Sequence, residues 1–144
     1  MKSNACSKRI LEAALVSIVD DDASVRSSTR RLLRSTGLRA EAFGSAEEFL
    51  ASGLVEETAC LILDLRMPGM SGLQLQQHLG ELANPIPIVF LSAYSTAEDE
   101  RKALQAGAVR FLQKPVRKAA LLLAIQNALN SIIIGRQHDH DDEL

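Results

Sequence analysis

Five short apolar runs, spaced regularly along the chain, constrain its fold more than any other feature. They are LVSIV (15–19), LRAEAF (38–43), ACLILDL (59–65), PIVFLS (87–92) and VRFLQ (109–113). The first, third and fourth are almost continuously apolar, the pattern of strands buried on both faces of a parallel sheet. The second alternates apolar and polar residues and suits an edge strand. Helical segments lie between the runs, and their starts are marked. Ser45 precedes Glu48 by three residues, Ser71 precedes Gln74, and Ser95 precedes Glu98. Each pair fits a capping box, in which the serine hydroxyl accepts an orphan helix N–H and the acid or amide reaches back. Gly37 and Gly107 stand where helices should end in a left-handed conformation. Five strand–helix units in alternation imply an α/β architecture, a parallel sheet covered by helices on both faces.

A chain of 144 residues is long enough for one domain with a real core. The domain is expected over 15–134, with an N-terminal extension at 1–14. The last helix, about 117–134, is apolar over more than one stripe (AALLLAIQNALNSIII), enough for the sheet and for a further stripe that is either buried or a contact surface. After Gly135 the chain turns polar and acidic, RQHDHDDEL, and 135–144 reads as a tail or the start of a linker. Its His138 and His140 are read as part of a solvated tail in preference to a metal site.

The net charge of −2 argues against a strongly basic nucleic-acid surface. Cys6 and Cys60 make no disulfide framework, and Cys60, inside an apolar run, reads as a small buried hydrophobe. No stretch approaches the roughly 18–20 apolar residues of a membrane helix, and the N-terminal apolar run leads into aspartates, not a cleavage site. A cytoplasmic domain without membrane contact is expected.

Ligands of open parallel sheets bind beyond the carboxyl ends of the strands. The first run ends in Asp20, Asp21 and Asp22, the third in Asp64, the fourth in Ser92, and the fifth in Lys114. Carboxylates crowded at one rim raise one another's pKa and destabilise the site unless a cation neutralises them. Oxygen ligands without histidine or cysteine suit Mg²⁺ and not zinc. A metal beside Asp64 would offset the charge of an incoming phosphoryl group, held in line for attack by the carboxylate. Ser92 would hydrogen-bond one phosphoryl oxygen and Lys114 would pair with another. The rim reads as a site that receives phosphate on an aspartate. Asp22, just before ASVRSSTRRLL, reads as a helix cap and not as a ligand.

The segments IVDDD, LILDLRMPGMSG, FLSA and AGAVRFLQKP, in that order, resemble the receiver domain of two-component response regulators, over about residues 15–130. DLRMPGMSG and AGAVRFLQKP lean toward the FixJ-like subclass. The resemblance implies a flavodoxin-like fold with strand order 2-1-3-4-5. It implies that Asp64 is the phosphoacceptor, and that Asp21, Asp64 and the backbone carbonyl of Arg66 ligate Mg²⁺, with Asp20 acting through water. Ser92 and Lys114 match the phosphoryl-binding hydroxyl and lysine. Ser92 and Phe111 match the switch pair, the ring filling the space Ser92 vacates on phosphorylation. Arg66 and Tyr94 should border the phosphoryl group. A sensor histidine kinase is the implied partner, pairing with the exposed face around Val25–Leu33. Phosphorylation is expected to remodel the face of the fourth helix, fifth strand and fifth helix and to promote homodimerisation. FixJ-like receivers usually precede a helix-turn-helix domain, so a transcriptional output is implied. Nothing here reads as a DNA-reading helix, and this segment alone is not expected to bind DNA.

The sequence departs from the subclass at three places. Tyr94 stands where FixJ-like proteins more often carry a glycine–histidine motif, Val116 replaces the common phenylalanine after KP, and Phe111 lacks a tyrosine hydroxyl. Alternatives are a stand-alone receiver or phosphorelay intermediate, and a receiver that binds partners without phosphorylation. More remotely, Asp20-x-Asp22-x-Ser24 resembles the nucleophile motif of haloacid-dehalogenase-type phosphatases. That reading makes Asp20 the nucleophile and leaves Asp64 without a role. It also lacks the acidic motif those enzymes carry on a strand after the lysine. The domain is expected to be a signalling module and not an enzyme, beyond gaining and losing its own phosphate.

Overall fold

The computed structural model describes residues 14–142 apart from Asn84, with side chains described as far as Ser131. The expected N-terminal extension, with Cys6, lies outside the described residues except for Ala14. Five strands, β1 (Leu15–Val19), β2 (Arg39–Phe43), β3 (Thr58–Leu63), β4 (Ile88–Ser92) and β5 (Arg110–Gln113), form one parallel sheet in the order β2-β1-β3-β4-β5. The expected strand order and the edge position of β2 are both borne out. Five helices alternate with them: α1 (Ala23–Ser35), α2 (Ala46–Ala51), α3 (Gly72–Leu79), α4 (Ala97–Gln105) and α5 (Lys118–Asp142).

Successive strand residues point to opposite faces, so each central strand feeds two cores. Val16, Ile18, Cys60, Ile62, Val89 and Leu91 pack under α1 and α5 with Leu33, Leu121 and Ile125. Val19, Leu61, Leu63 and Phe90 pack on the other face with Phe49 of α2, Leu75 and Leu79 of α3, and Ala103 of α4. Burial pushes the Cys60 thiol up to about 12, which makes it an inert core residue at neutral pH. Ser17, buried in β1, bonds the Thr58 hydroxyl at 2.7 Å. Thr58 donates its own proton to the Leu54 carbonyl, so Ser17 is the donor.

The helix starts follow the sequence with one shift. Asp22 caps α1, its carboxylate accepting from the N–H groups of Ser24 and Val25. Ser71 and Gln74 form the full capping box of α3. Ser45 caps α2, but Glu48 reaches past it to the Gly44 N–H, so only half of that box forms. For α4 the cap is Thr96 with Asp99, not Ser95 with Glu98. The segment STAED satisfies the motif in both registers. In the observed one Glu98 is freed to pair with Arg101 one turn on, while Asp99 turns toward the rim of the sheet. Gly37 and Gly107 have φ of +90° and +103°, the expected left-handed ends.

The last helix departs from its expected end near 134, and its backbone runs on to Asp142. A lone interior glycine costs a helix only about 1 kcal/mol, and no proline follows Gly135 to stop it. Much of its apolar excess is ordinary burial, with Leu121, Ala124, Ile125, Ala128 and Leu129 all inside; Leu123 is 52% exposed. By contrast α4 buries a single side chain, Ala103. Among the described residues no helix is long and apolar enough to cross a membrane.

Candidate functional site

Main-chain hydrogen bonds carry the functional residues to the rim. The N–H of Asp64 donates to the Val19 carbonyl at 2.9 Å, and that of Asp20 donates to the Phe43 carbonyl at 3.1 Å. The ladder β2-β1-β3 thus continues one residue past each strand, so Asp20 and Asp64 emerge side by side. On the other half of the sheet the Lys114 N–H donates to the Ser92 carbonyl at 2.8 Å. These residues converge because the register leaves them no alternative.

The side chains complete the site. Asp20, Asp64 and Ser92 are buried, at 3%, 6% and 1% exposure, while Asp21 is exposed. One carboxylate oxygen from each of Asp20, Asp21 and Asp64 lies within 4.8 Å of the others. The Lys114 ammonium sits 2.8 Å from Asp20 Oδ2 and 3.9 Å from Asp64 Oδ2. Asp20 is fully engaged, for its Oδ1 also accepts the Asp22 N–H at 2.9 Å. Asp64 meets Lys114 at the longer of the two distances, and its carboxyl is pushed up to about 7. Burial is the main cause and the Asp20 charge comes next. Lys114 opposes both, and a hydrogen bond shared with Asp21 raises the value further. The donor set fits Mg²⁺: it is all oxygen, has two carboxylates with accessible lone pairs, and carries a surplus of negative charge that a divalent ion would relieve. Asp20, with both oxygens already bonded, suits contact through water and not direct ligation.

The loop after Asp64 is folded back tightly. The Gly72 N–H bonds the Leu65 carbonyl at 2.8 Å, and a Cβ at Gly72 would stand 2.3 Å from the Asp64 carbonyl oxygen. Only glycine admits that approach, so Gly72 sets how near α3 begins to the rim. Glu47 on α2 accepts the Met70 N–H at 2.7 Å and ties the same loop from the side.

Other expected site residues take less obvious places. The Tyr94 ring points into solvent, 81% exposed, but its carbonyl is at the rim and accepts from Ser92 Oγ at 3.2 Å and Arg66 Nε at 3.0 Å. Arg66 also reaches Asp99 at the start of α4, 2.6 Å away. Phe111, half-buried on β5, stacks on Phe90 of β4 with ring centroids 5.6 Å apart. Three participants lacked a local sequence signal. Arg26 of α1 donates to the Asp20 carbonyl at 2.7 Å, Glu47 accepts the Met70 N–H, and Asp99 joins the α4 cap to Arg66. Their roles arise from contacts between distant segments, which no local motif encodes.

Known proteins are similar to this chain in sequence and in fold. Residues 16–126 match the family model described as response regulator receiver domain. The chain is 47% identical over 134 residues to the transcriptional regulatory protein TdiR of Thauera aromatica, covering 92% of this chain and 59% of that one. It is 46% identical over 112 residues to nodulation protein W of Bradyrhizobium diazoefficiens, covering 78% and 49%. Thus the chain spans about half the length of the curated relatives it matches. Among solved structures, the response regulator StyR superposes with a TM-score of 0.80 at 42% identity, over 91% of this chain and 66% of that one. FixJ-N superposes with a TM-score of 0.73 at 34% identity, over 81% and 94%. The chain belongs to the response regulator receiver domain family, a family of signalling domains, and FixJ is among its relatives.

Proposed function

We propose that this receiver accepts a phosphoryl group on Asp64 from a sensor histidine kinase, with Mg²⁺ bound by Asp21, Asp64 and the Arg66 carbonyl and contacted by Asp20 through water. The observation that carries the proposal is the convergence of three carboxylates and Lys114 at the rim, with Asp64 held less closely by Lys114 than Asp20 is. An Asp64 carboxylate oxygen attacks phosphorus as the bond to the donor's imidazole nitrogen breaks. The bonding electrons leave on that nitrogen, and the aspartate becomes an acyl phosphate. Bound Mg²⁺ would supply charge neutralisation for the phosphoryl oxygens. Lys114, freed in part from Asp20, pairs with a phosphoryl oxygen, and Ser92 gives up the Tyr94 carbonyl to donate to another. Phe111 then turns into the space that Ser92 leaves. Movement of α4 remodels the α4–β5–α5 face, which supports homodimerisation and a transcriptional output through a segment outside this chain.

The full engagement of Asp20 by Lys114 and the Asp22 N–H disfavours Asp20 as the nucleophile. The test is uptake of phosphate from acetyl phosphate with Mg²⁺, followed by intact mass. The wild type and Asp20→Asn should gain one hydroxylamine-labile phosphoryl group, the variant more slowly, and Asp64→Asn none. Stoichiometric labelling of Asp64→Asn would overturn the assignment.

A further inference from the structure

The β4–α4 loop carries Ser92 at its root, and one side chain from another segment holds it. Arg66 Nε donates to the Tyr94 carbonyl, the same oxygen that Ser92 Oγ donates to, and its terminal nitrogen pairs with Asp99. Asp99 is in turn the residue whose carboxylate accepts the Thr96 N–H and closes the cap of α4. One guanidinium therefore joins the loop, the helix start and the chain two residues beyond Asp64. Its attraction also holds the Asp99 carboxyl below the usual carboxylate range, after the larger effect of the hydrogen bonds with Thr96.

The other end of α4 is held differently. Gln76, buried on α3, donates from Nε2 to the Ala103 carbonyl at 2.9 Å, and Ala103 is the helix's only buried side chain. A buried hydrogen bond from a side-chain amide is costly to break, whereas an ion pair whose arginine is 59% exposed contributes little and is reached by salt. The two ends of α4 thus differ in how firmly they are held.

We propose that the Arg66 side chain is a clasp on the resting state: it positions the β4–α4 loop so that Ser92 stays bonded to the Tyr94 carbonyl. On release, α4 pivots about the Gln76–Ala103 bond. Arg66 is a positioning residue for Ser92, acting through the Tyr94 carbonyl and Asp99. Its consequence for phosphate uptake rests on the reading of Asp64 as acceptor; the clasp itself does not.

Amide hydrogen exchange of the full chain, without Mg²⁺ or phosphodonor, tests the clasp alone. In Arg66→Gln and in Asp99→Asn, which keeps a cap acceptor, the amides of Thr96, Asp99 and Glu100 should exchange about two- to five-fold faster than in wild type. The double variant should exceed neither single one, because both remove the same pair. The amides of Ala106 and Ala108 should not change. Raising NaCl to about 0.5 M should move the wild type toward the variants and leave Arg66→Gln where it is. Unchanged exchange at Thr96 to Glu100, additive effects, or a wild type indifferent to salt would each overturn the clasp. With acetyl phosphate and Mg²⁺, Arg66→Gln should then label about two- to five-fold faster than wild type. Faster exchange with equal labelling rates would overturn the link to Ser92. Absence of any labelling in the wild type would instead overturn the reading of Asp64 and leave the clasp standing.

Discussion

Asp64 pays for its position at the mouth of the sheet in protonation. In the metal-free protein its carboxyl is raised from the ordinary 3.8 to about 7, chiefly by burial and by the charge of Asp20. Between those values the folded protein holds a proton that the unfolded chain has lost. Stability therefore falls as pH rises from about 4 to about 7, by at most about 1.4 kcal/mol per pH unit, and this group adds no further slope above that. In EDTA at pH 8, Asp64→Asn is expected to melt above the wild type, and its melting temperature should lose this part of the pH dependence. Mg²⁺ should raise the wild-type melting temperature at pH 8 and barely move that of the variant. A wild type that melts no lower than Asp64→Asn and ignores Mg²⁺ would speak against a strained carboxylate site. If Asp64 is the phosphoacceptor proposed above, it must be ionised to attack, and labelling by acetyl phosphate at low Mg²⁺ should rise with pH through about 7. Saturating Mg²⁺ should shift that rise to lower pH. The acid cluster itself was legible in IVDDD and LILDL, since charge at the end of an apolar strand needs a counter-charge. Which acid is committed elsewhere was not legible, because the partners of Asp20 lie at Asp22 N–H and, across the sheet, at Lys114.

At the scale of the element, α4 shows how far a motif can be trusted. Both Ser95 and Thr96 stand three residues before an acid, so local rules give two starts and tertiary contact selects one. Thr96→Ala should cost about 1 kcal/mol in urea unfolding, the usual loss of a helix cap. Ser95→Ala should stay within about 0.5 kcal/mol of wild type. The reverse order would return the cap to Ser95. The capping box of α3 had no competing register and was read correctly from sequence alone. The end of α5 shows the opposite problem, a signal too weak to act: Gly135 stands in the helix without ending it, for want of a proline or a left-handed turn.

For the whole molecule, the sequence made the layered architecture plain, because near-continuous apolar strands alternating with capped helices have few other solutions. Strand order was different in kind, since periodicity says which strands are central but not which neighbours they choose. It came from the resemblance to receivers, and the sheet bears it out. The division of the core into an α1–α5 side and an α2–α3–α4 side leaves Leu104 and Leu123 exposed on the helices that flank β5. If phosphorylation creates a dimer through that face, Leu123→Glu should leave the resting monomer within about 0.5 kcal/mol of wild type and abolish dimerisation of the phosphorylated form. Sedimentation across a wide concentration range checks this. Equal sedimentation of phosphorylated and unphosphorylated wild type would remove the premise.

The ladder bonds that carry Asp64 and Lys114 to the rim are made by peptide groups, and peptide groups are the same whatever side chain they bear. Exchanging one branched apolar strand residue for another of similar volume should therefore leave Asp64 and Lys114 where they stand at the rim.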